Sequence, residues 1–213
     1  MIIYSGGALG ADSVWSFIAE NNGIPKENII HYIAPGMKRP QGTKERRIEQ
    51  STGTEYHLTD EELEIGIQDM IKRDITISKK KAKEYFFHVN DYSPIHKLQG
   101  RNYYQVINSD QVLAVVALIN NSVSGGTATA ISLAIDLGKP VYVLNTIDTE
   151  WYTYKNGKYI KCEVPKLKEI NTCIGTRSLV KYNVCKYGHW VPAPYVGEEL
   201  ENKLRNQMEK CFK

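Results

Sequence analysis

The sequence predicts an α/β fold, an open parallel sheet with helices on both faces, from three observations. A short apolar strand at 2–4 runs into a glycine turn and then into a helical pattern. Residues 112–118 are apolar throughout, which is typical of a parallel strand buried on both faces, and glycines again separate them from a helix at 128–137. Each helix is followed by another apolar strand, at 29–33 and at 140–144, so we expect two βαβ units.

The first helix is predicted to begin after Gly10, where apolar residues recur every three or four positions. This apolar face consists of Ala11, Val14, Trp15, Ile18 and Ala19. Asn22-Gly23 is expected to end the helix, because glycine readily takes the left-handed conformation that often follows one.

Residues 35–97 are predicted to be an inserted loop and helical excursion. The stretch 35–53 is basic, contains Pro and Gly and has no hydrophobic period, so we expect a surface loop. Thr59 and Glu62 form a capping-box pattern at the start of an amphipathic helix. The basic run 79–83 is expected to be a solvated helix face, with a polyanion site as the alternative.

The rest of the chain completes one domain, 1–213. A short helix at 101–108 leads into the second βαβ unit, and residues 150–213 are predicted to be a C-terminal hairpin and helix extension. Asn156-Gly157 between alternating apolar residues indicates a type I′ turn. One apolar stripe along 198–212 indicates an amphipathic helix.

The composition is that of a globular protein, with 42% hydrophobic residues. Its 27 Lys and Arg against 24 Asp and Glu give a net charge of only +3, which does not by itself indicate a nucleic-acid-binding protein. No leader pattern follows Met1, and no run approaches the ~18 apolar residues of a membrane span, so we expect a cytoplasmic protein. The four cysteines lack a C-x-x-C pair, so free buried thiols are expected, and no metal or cofactor is predicted.

The two glycine turns are the candidate ligand-binding segments. Such a turn lets backbone N–H groups approach an anion at the positive end of a helix dipole. At the carboxyl ends of parallel strands, turns 5–10 and 124–127 would face one crevice, with their amides directed at a shared anion. Hydroxyl donors would come from Ser5, Ser124, Thr127 and Thr129. For either turn alone, tight packing is the alternative. The absence of G-x-G-x-x-G and Walker A patterns argues against nicotinamide and ATP chemistry.

Residues 5–12 (SGGALGAD) resemble the S-G-G-A-x-G-x-D signature of the DprA/Smf proteins. Residues 125–143 resemble the second glycine segment that those proteins share with the Lonely Guy phosphoribohydrolases. Together they resemble the SLOG superfamily, which implies a Rossmann-like fold that binds nucleotides and nucleotide-derived ligands. The segments RNYYQV at 101–106 and IGTR at 174–177 are similar to segments of phage-type SLOG proteins.

The chain departs from the Lonely Guy pattern at Ser132. Those enzymes carry a glutamate there that assists cleavage of an N-glycosidic bond, and a hydroxyl with an ordinary pKa does not replace a carboxylate. No catalytic residue is therefore predicted. The alternative is a nucleoside or nucleotide N-glycosidase that uses a carboxylate from elsewhere, such as Asp12 or Asp110.

The predicted ligand-binding residues are Ser5, Gly6, Gly7, Ala8, Gly10, Asp12, Arg101, Asn102, Ser124, Gly125, Gly126, Thr127, Thr129 and Arg177.

Several of these polar and aromatic side chains have two possible roles. Asp12 would contact a ribose hydroxyl or act as a helix N-terminal carboxylate. Arg101 and Arg177 would contact phosphate or pair with acidic groups. Asn102 and Gln105 would recognise a base edge or cap a helix. The aromatic residues that would stack on a purine or pack in the core are Trp151, Tyr103 and Tyr104.

We therefore expect non-catalytic binding of a nucleotide-derived ligand, an ADP-ribose derivative or a cyclic (oligo)nucleotide. The phage-type resemblance implies sequestration of an immune signalling nucleotide in the host cytoplasm, as an anti-defence protein, and a homo-oligomer. The N-glycosidase is the first alternative. Single-stranded nucleic-acid binding through the basic stretches 38–47 and 79–83 is the second.

Overall fold

The computed structural model describes residues 1–38, 52–75, 94–179, 182–184, 190–192 and 195–213. Most of the predicted loop 35–53, the basic run 79–83 and Cys185 lie outside the described residues.

An eight-stranded open sheet forms the centre of the molecule and confirms the predicted α/β fold. Its strands are β1 (Ile2–Ser5), β2 (Ile29–Ile33), β3 (Thr54–His57), β4 (Gln111–Val116), β5 (Val141–Asn145), β6 (Trp151–Lys155), β7 (Lys158–Lys161) and β8 (Ile170–Gly175). Their order across the sheet is β3-β2-β1-β8-β4-β5-β6-β7. The strands from β3 to β5 in that order are parallel, and β6 and β7 continue the sheet as an antiparallel hairpin. A separate ribbon pairs β9 (Tyr182–Val184) with β10 (Trp190–Pro192).

Helices cover both faces of the sheet: α1 (Ala11–Asn21), α2 (Asp60–Lys72), α3 (Pro94–Ile107), α4 (Gly125–Asp136) and α5 (Glu198–Glu209). Trp15 of α1 and Leu204 of α5 share one core with Leu113 of β4. Ile131 of α4 shares the core on the other face with Val112. Because neighbouring strand residues point to opposite faces, α1 and α5 lie on one side of the sheet and α4 on the other.

The local signals that the sequence analysis used for α2 and for the hairpin are confirmed. Glu62 N donates to Thr59 Oγ1 over 3.1 Å, and Thr59 N donates to Glu62 Oε2 over 2.8 Å, which completes the capping box. In the hairpin between β6 and β7, Asn156 and Gly157 have φ of 51° and 81°, as a type I′ turn requires.

Strand β8 lies at the centre of the sheet, between β1 and β4, and no strand was predicted there. Its sequence is polar for a central strand, but its polar side chains have partners. Asn171 is fully buried and accepts a 2.8 Å hydrogen bond from Gln111 Nε2. Thr172, also fully buried, donates from Oγ1 to the carbonyl of Gln105 over 2.6 Å.

Three described cysteines, Cys162, Cys173 and Cys211, are free, as predicted. Cys173 and Cys211 are buried, whereas Cys162, also predicted to be buried, is half-buried. None of the helices in the described ranges has the length and apolar character needed to span a membrane.

The parallel strands place both glycine turns at one edge of the sheet. β1, β8 and β4 are neighbours and end at the same carboxyl edge. From there the chain crosses through α1 to β2 on one side and through α4 to β5 on the other. This edge is therefore a topological switch point, the place where open α/β sheets bind ligands.

Candidate functional site

Two consecutive residues of α3 connect the two glycine turns. Arg101 Nη1 donates to Gly6 O over 3.1 Å, and Arg101 Nη2 donates to Asn102 Oδ1 over 3.3 Å. Asn102 Nδ2 in turn donates to Gly126 O over 3.1 Å. The turns 5–10 and 124–127 therefore border one space at the carboxyl edge, with α3 beside them, which we call the crevice.

The first turn is closed around the carboxylate of Asp12. Oδ2 of Asp12 accepts from the amides of Gly6, at 3.0 Å, and Ala8, at 3.4 Å. Oδ1 accepts from Gly175 N at 3.2 Å, so the same side chain also holds the end of β8. Asp12 is 4% exposed, and burial raises its pKa, opposed by the charge of Arg101 and by these three amides. Asp12 thus acts as an acceptor for its own turn.

Two further amides of this turn also have acceptors within the chain. Gly7 N donates to Ser5 Oγ at 3.1 Å, and Gly10 N donates to Ser13 Oγ at 3.2 Å. For these four amides, the expectation that they point outward to a ligand therefore differs from the observed hydrogen bonds. Within this structure these amides have an internal acceptor, the side chain of Asp12 or of a nearby serine, instead.

The glycines of the first turn serve close packing. A Cβ on Gly6 would lie 2.2 Å from Arg101 Nη2. Gly10 has φ of 107°, and a Cβ there would lie 2.5 Å from Thr176 O and 2.6 Å from the Cα of Arg177. Only glycine allows this approach of α1 to the chain that follows β8.

Ser5 is fully buried and hydrogen-bonded to His31, a residue for which no role was predicted. Ser5 Oγ lies 2.7 Å from His31 Nδ1, and His31 Nε2 contacts the carbonyl oxygen of Thr52. Because a carbonyl only accepts, His31 Nε2 carries a proton, and in the neutral ring Nδ1 accepts from the Ser5 hydroxyl. This hydroxyl therefore ties β1 to β2.

The second turn is open. Gly125 and Gly126 are exposed, and a Cβ on either would have no atom within 4 Å. Both lie in the first turn of α4, whose N-cap residue, Ser124, makes no side-chain capping bond. The first amides of a helix have no intrahelical acceptor, so these N–H groups are available to an anion. Thr129 is buried and donates to Gly126 O over 2.7 Å, so its hydroxyl supports the turn from within.

Arg101 is a half-buried cation beside this helix end. Its hydrogen bonds go to two neutral oxygens, Gly6 O and Asn102 Oδ1, and its Nε is buried without a partner. Burial lowers the pKa of Arg101, the carboxylate of Asp12 opposes this, and nearby Arg177 adds to it. Arg177 is exposed and follows β8. Among the residues that the structure describes, two arginines and one carboxyl group thus leave the crevice with excess positive charge.

Helix α3 carries a buried polar stripe at a spacing of three residues: His96, Gln99, Asn102 and Gln105. The side chain of Asn102 does not cap a helix, and its amide nitrogen is not free for a ligand, because it donates to the carbonyl of Gly126. Both side-chain amide atoms of Gln99 and of Gln105 are buried without hydrogen-bond partners within the described residues.

The aromatic candidates pack within the protein. Trp151 is 2% exposed in the core on the α1 side of the sheet. Tyr103 is half-buried against the core on the opposite side. Tyr104 lies 6.2 Å from Tyr32, ring centre to ring centre, and donates its hydroxyl to Glu62 O. Of their two predicted roles, stacking on a purine or packing in the core, all three aromatic residues therefore have the second in this structure.

The carboxylate Asp110, considered for an N-glycosidase, lies away from the crevice. It precedes β4 at the amino edge of the sheet, where its Oδ2 accepts from Ile170 N at 3.0 Å. Ser132 is exposed on α4. The stretches 39–47 and 79–83 of the nucleic-acid alternative lie outside the described residues.

Comparison of the chain with protein-family models, with curated proteins and with solved structures found no match. The fold is a Rossmann-like α/β open sheet. The resemblance to the SLOG superfamily stays a prediction based on the glycine segments.

Proposed function

We propose that the protein binds a phosphate-bearing, nucleotide-derived ligand in the crevice and does not alter it. The observation that carries this proposal is Arg101, a half-buried residue whose guanidinium Nε is buried and whose hydrogen bonds go to neutral oxygens beside the uncapped end of α4. A buried charge is costly unless an opposite charge or strong hydrogen bonds compensate it. A phosphate at the N-terminus of α4 would supply that charge and accept the open amides of the helix.

The chemistry of the crevice supports binding over catalysis. The nearest carboxylate, Asp12, already accepts three backbone hydrogen bonds. Ser132, at the position of the Lonely Guy glutamate, carries a hydroxyl. A general acid or an oxocarbenium-stabilising carboxylate needs a free oxygen near the scissile bond.

The fate of the ligand tests the proposal. Purified protein is incubated with ADP-ribose and a panel of cyclic nucleotides, then denatured, and the released molecules are identified by mass spectrometry. Intact ligand in stoichiometric amount is the expected result. Free base with ribose phosphate would replace this function by N-glycoside hydrolysis, and retention of oligonucleotides alone, lost at high salt, would replace it by nucleic-acid binding.

A substitution in the open turn tests the location. Gly126→Glu places a carboxylate among the helix amides and is expected to abolish the thermal stabilisation by ligand, which amounts to about 2.7 kcal/mol at 100 times Kd. Gly126→Gln is the matched control, because it adds the same volume without the charge, and it is expected to retain most of the stabilisation. If the ligand stabilised both variants as much as the wild type, it would bind somewhere else.

Sequestration of a signalling nucleotide in the host cytoplasm is the biological use that we propose for such binding. A ligand that is held intact is withdrawn from its receptor, provided that the Kd lies below the signalling concentration. We also propose a homo-oligomer, and native mass spectrometry would determine its stoichiometry together with the number of bound ligands.

A further inference from the structure

We infer that Gln99 recognises the base of the bound nucleotide, and that this base is adenine. The inference rests on the proposed function, because it concerns the same crevice and adds to it the identity of the ligand's base.

The first observation is the state of the Gln99 side chain. It is 2% exposed, and neither its amide nitrogen nor its amide oxygen has a hydrogen-bond partner in the part of the chain that the structure describes. Buried side-chain amides are almost always hydrogen-bonded in native proteins. An amide with both atoms unpaired beside a ligand site therefore has the properties of a group that a ligand completes.

The second observation is the position of Gln99 on α3. Asn102, on the same face one turn later, reaches Gly126 in the open turn. Lys97, earlier on the helix, donates to Pro35 O at 3.3 Å, just beyond the carboxyl end of β2. The segment between Lys97 and Asn102 therefore lies over the carboxyl edge of the sheet. Helical side chains lean towards the N-terminus, so Gln99 projects from Asn102 over the crevice.

Gln105 has the same chemistry in a different place. It is fully buried with both amide atoms unpaired, like Gln99. Its own carbonyl, however, accepts from Thr172 within β8, so it lies over the sheet, nearly two turns farther along α3. Gln105 is therefore a control for the effect of removing a buried, unpaired amide away from the crevice.

The hydrogen-bonding pattern of the amide selects the base. A glutamine amide presents a donor and an acceptor side by side, which pair with the N7 acceptor and the N6 donor of adenine. The corresponding edge of guanine presents two acceptors, O6 and N7, and leaves the amide oxygen facing an acceptor. With phosphate at the end of α4 and Gln99 farther along α3, the site fits an adenine nucleotide.

The test compares AMP, GMP and ribose 5-phosphate by isothermal titration calorimetry with the full-length protein. We expect the wild type to bind AMP at least about tenfold more tightly than ribose 5-phosphate or GMP. Gln99→Leu is expected to lose this preference and to bind ribose 5-phosphate as the wild type does. Gln105→Leu is expected to keep the preference.

The outcomes separate the two proposals. If ribose 5-phosphate binds but Gln99→Leu retains the AMP preference, the role of Gln99 is wrong and the proposed function stands. A wild-type preference for GMP would refute adenine. If the wild type binds none of the three probes, the adenine proposal fails, and the ligand-release experiment with ADP-ribose and cyclic nucleotides decides the proposed function separately. If Gln99→Leu does not fold, Gln99→Met replaces it, because methionine keeps the unbranched shape. If Gln99 had only a structural role, neither substitution would change the ratio of the Kd values for AMP and ribose 5-phosphate.

Discussion

The turns 5–10 and 124–127 have the same pattern of apolar strand, glycines and helix, yet only the second is open. The difference lies in the first turn of the helix that follows. In α1 this turn contains Asp12, whose carboxylate accepts the amides of Gly6 and Ala8. The first turn of α4 contains no acidic residue. In both cases the glycine turn brings several backbone N–H groups close together. Where a side-chain carboxyl group lies beside them, they donate to it, and where none does, they are available to a ligand.

The two turns also use their glycines differently. Gly10 is required for contact, because its missing side chain leaves room for the chain after β8. Gly126 faces open space. The first turn is therefore a clamp between β1 and β8, and the second is a surface that a ligand can approach.

The largest expected effect is the difference in the free energy of unfolding between adding a methyl group to the first turn and adding one to the second. Gly10→Ala combines a φ of 107° with a Cβ 2.5 Å from a backbone oxygen and is expected to cost about 3 kcal/mol or more of the free energy of unfolding. Gly126→Ala lies in an exposed helical turn and is expected to gain up to about 0.5 kcal/mol. Urea unfolding of both variants and the wild type measures the difference.

A loss of similar size in both variants would contradict this contrast. It would mean that the second turn is also closed by contacts. Gly138→Ala, another glycine with positive φ but with no neighbouring atom within 4 Å, serves as a control that separates backbone strain from collision.

The next effect is that of removing the Asp12 side chain, the internal acceptor of the first turn. Asp12→Ala leaves three backbone amides without an acceptor and removes the carboxyl group near Arg101, so a loss of about 3 kcal/mol is expected. Asp60→Ala, in the exposed first turn of α2, is expected to cost less than about 1 kcal/mol. Thermal unfolding checks both, with about 2–4 °C expected per kcal/mol in a chain of this size. Equal losses would show that Asp12 contributes no more than a helix-end charge.

A smaller effect concerns the link between the turns. Asn102→Ala removes the hydrogen bond to Gly126 O and the acceptor of Arg101 Nη2, and is expected to cost about 1.5 kcal/mol. Asn108→Ala is the control, since it also removes one side-chain amide of this region, bonded to Tyr32 instead. The expected signature of Asn102→Ala is faster amide hydrogen exchange at 125–128. Unchanged exchange there would mean that Asn102 does not hold the turn.

Periodicity and turn chemistry predicted most of the fold, because they act over a few residues. The two βαβ units, the capping box at Thr59 and the hairpin at Asn156-Gly157 all depend on neighbours in sequence. Strand β8 was not predicted, since its buried Asn171 is stabilised by Gln111, a residue that is distant in sequence. Strand β3 was missed for the opposite reason: all its residues are exposed, so it carries no apolar signal.

Only part of the candidate site was predicted, again because sequence patterns report on neighbours in sequence and not on tertiary contacts. The glycine segments indicated which backbone approaches the crevice, but the partners of each amide depend on tertiary contacts. Asp12 in the first helical turn was the available signal that the first turn is self-satisfied. The bond between Ser5 and His31 and the position of Gln99 depend on the pairing of β1 with β2 and on the start of α3 at Pro94, earlier than periodicity indicated.

The smallest expected effect is a pH dependence of the free energy of unfolding. Its direction tells whether the Asp12 side chain is an anion or a neutral acid within the first turn. Burial raises its pKa above the ordinary value of 3.8, so the folded protein binds this proton more tightly than the unfolded chain. The stability that this proton contributes is complete below the unfolded pKa and is lost as the pH rises through the folded pKa. Relative to Asp12→Asn, which does not titrate, the free energy of unfolding of the wild type should therefore decline as the pH rises above 3.8 and then level off. Urea unfolding of both proteins at several pH values measures this difference. A difference that grows with pH would mean that the three amides and Arg101 outweigh burial, and the first turn would then be an anion site occupied by its own carboxylate.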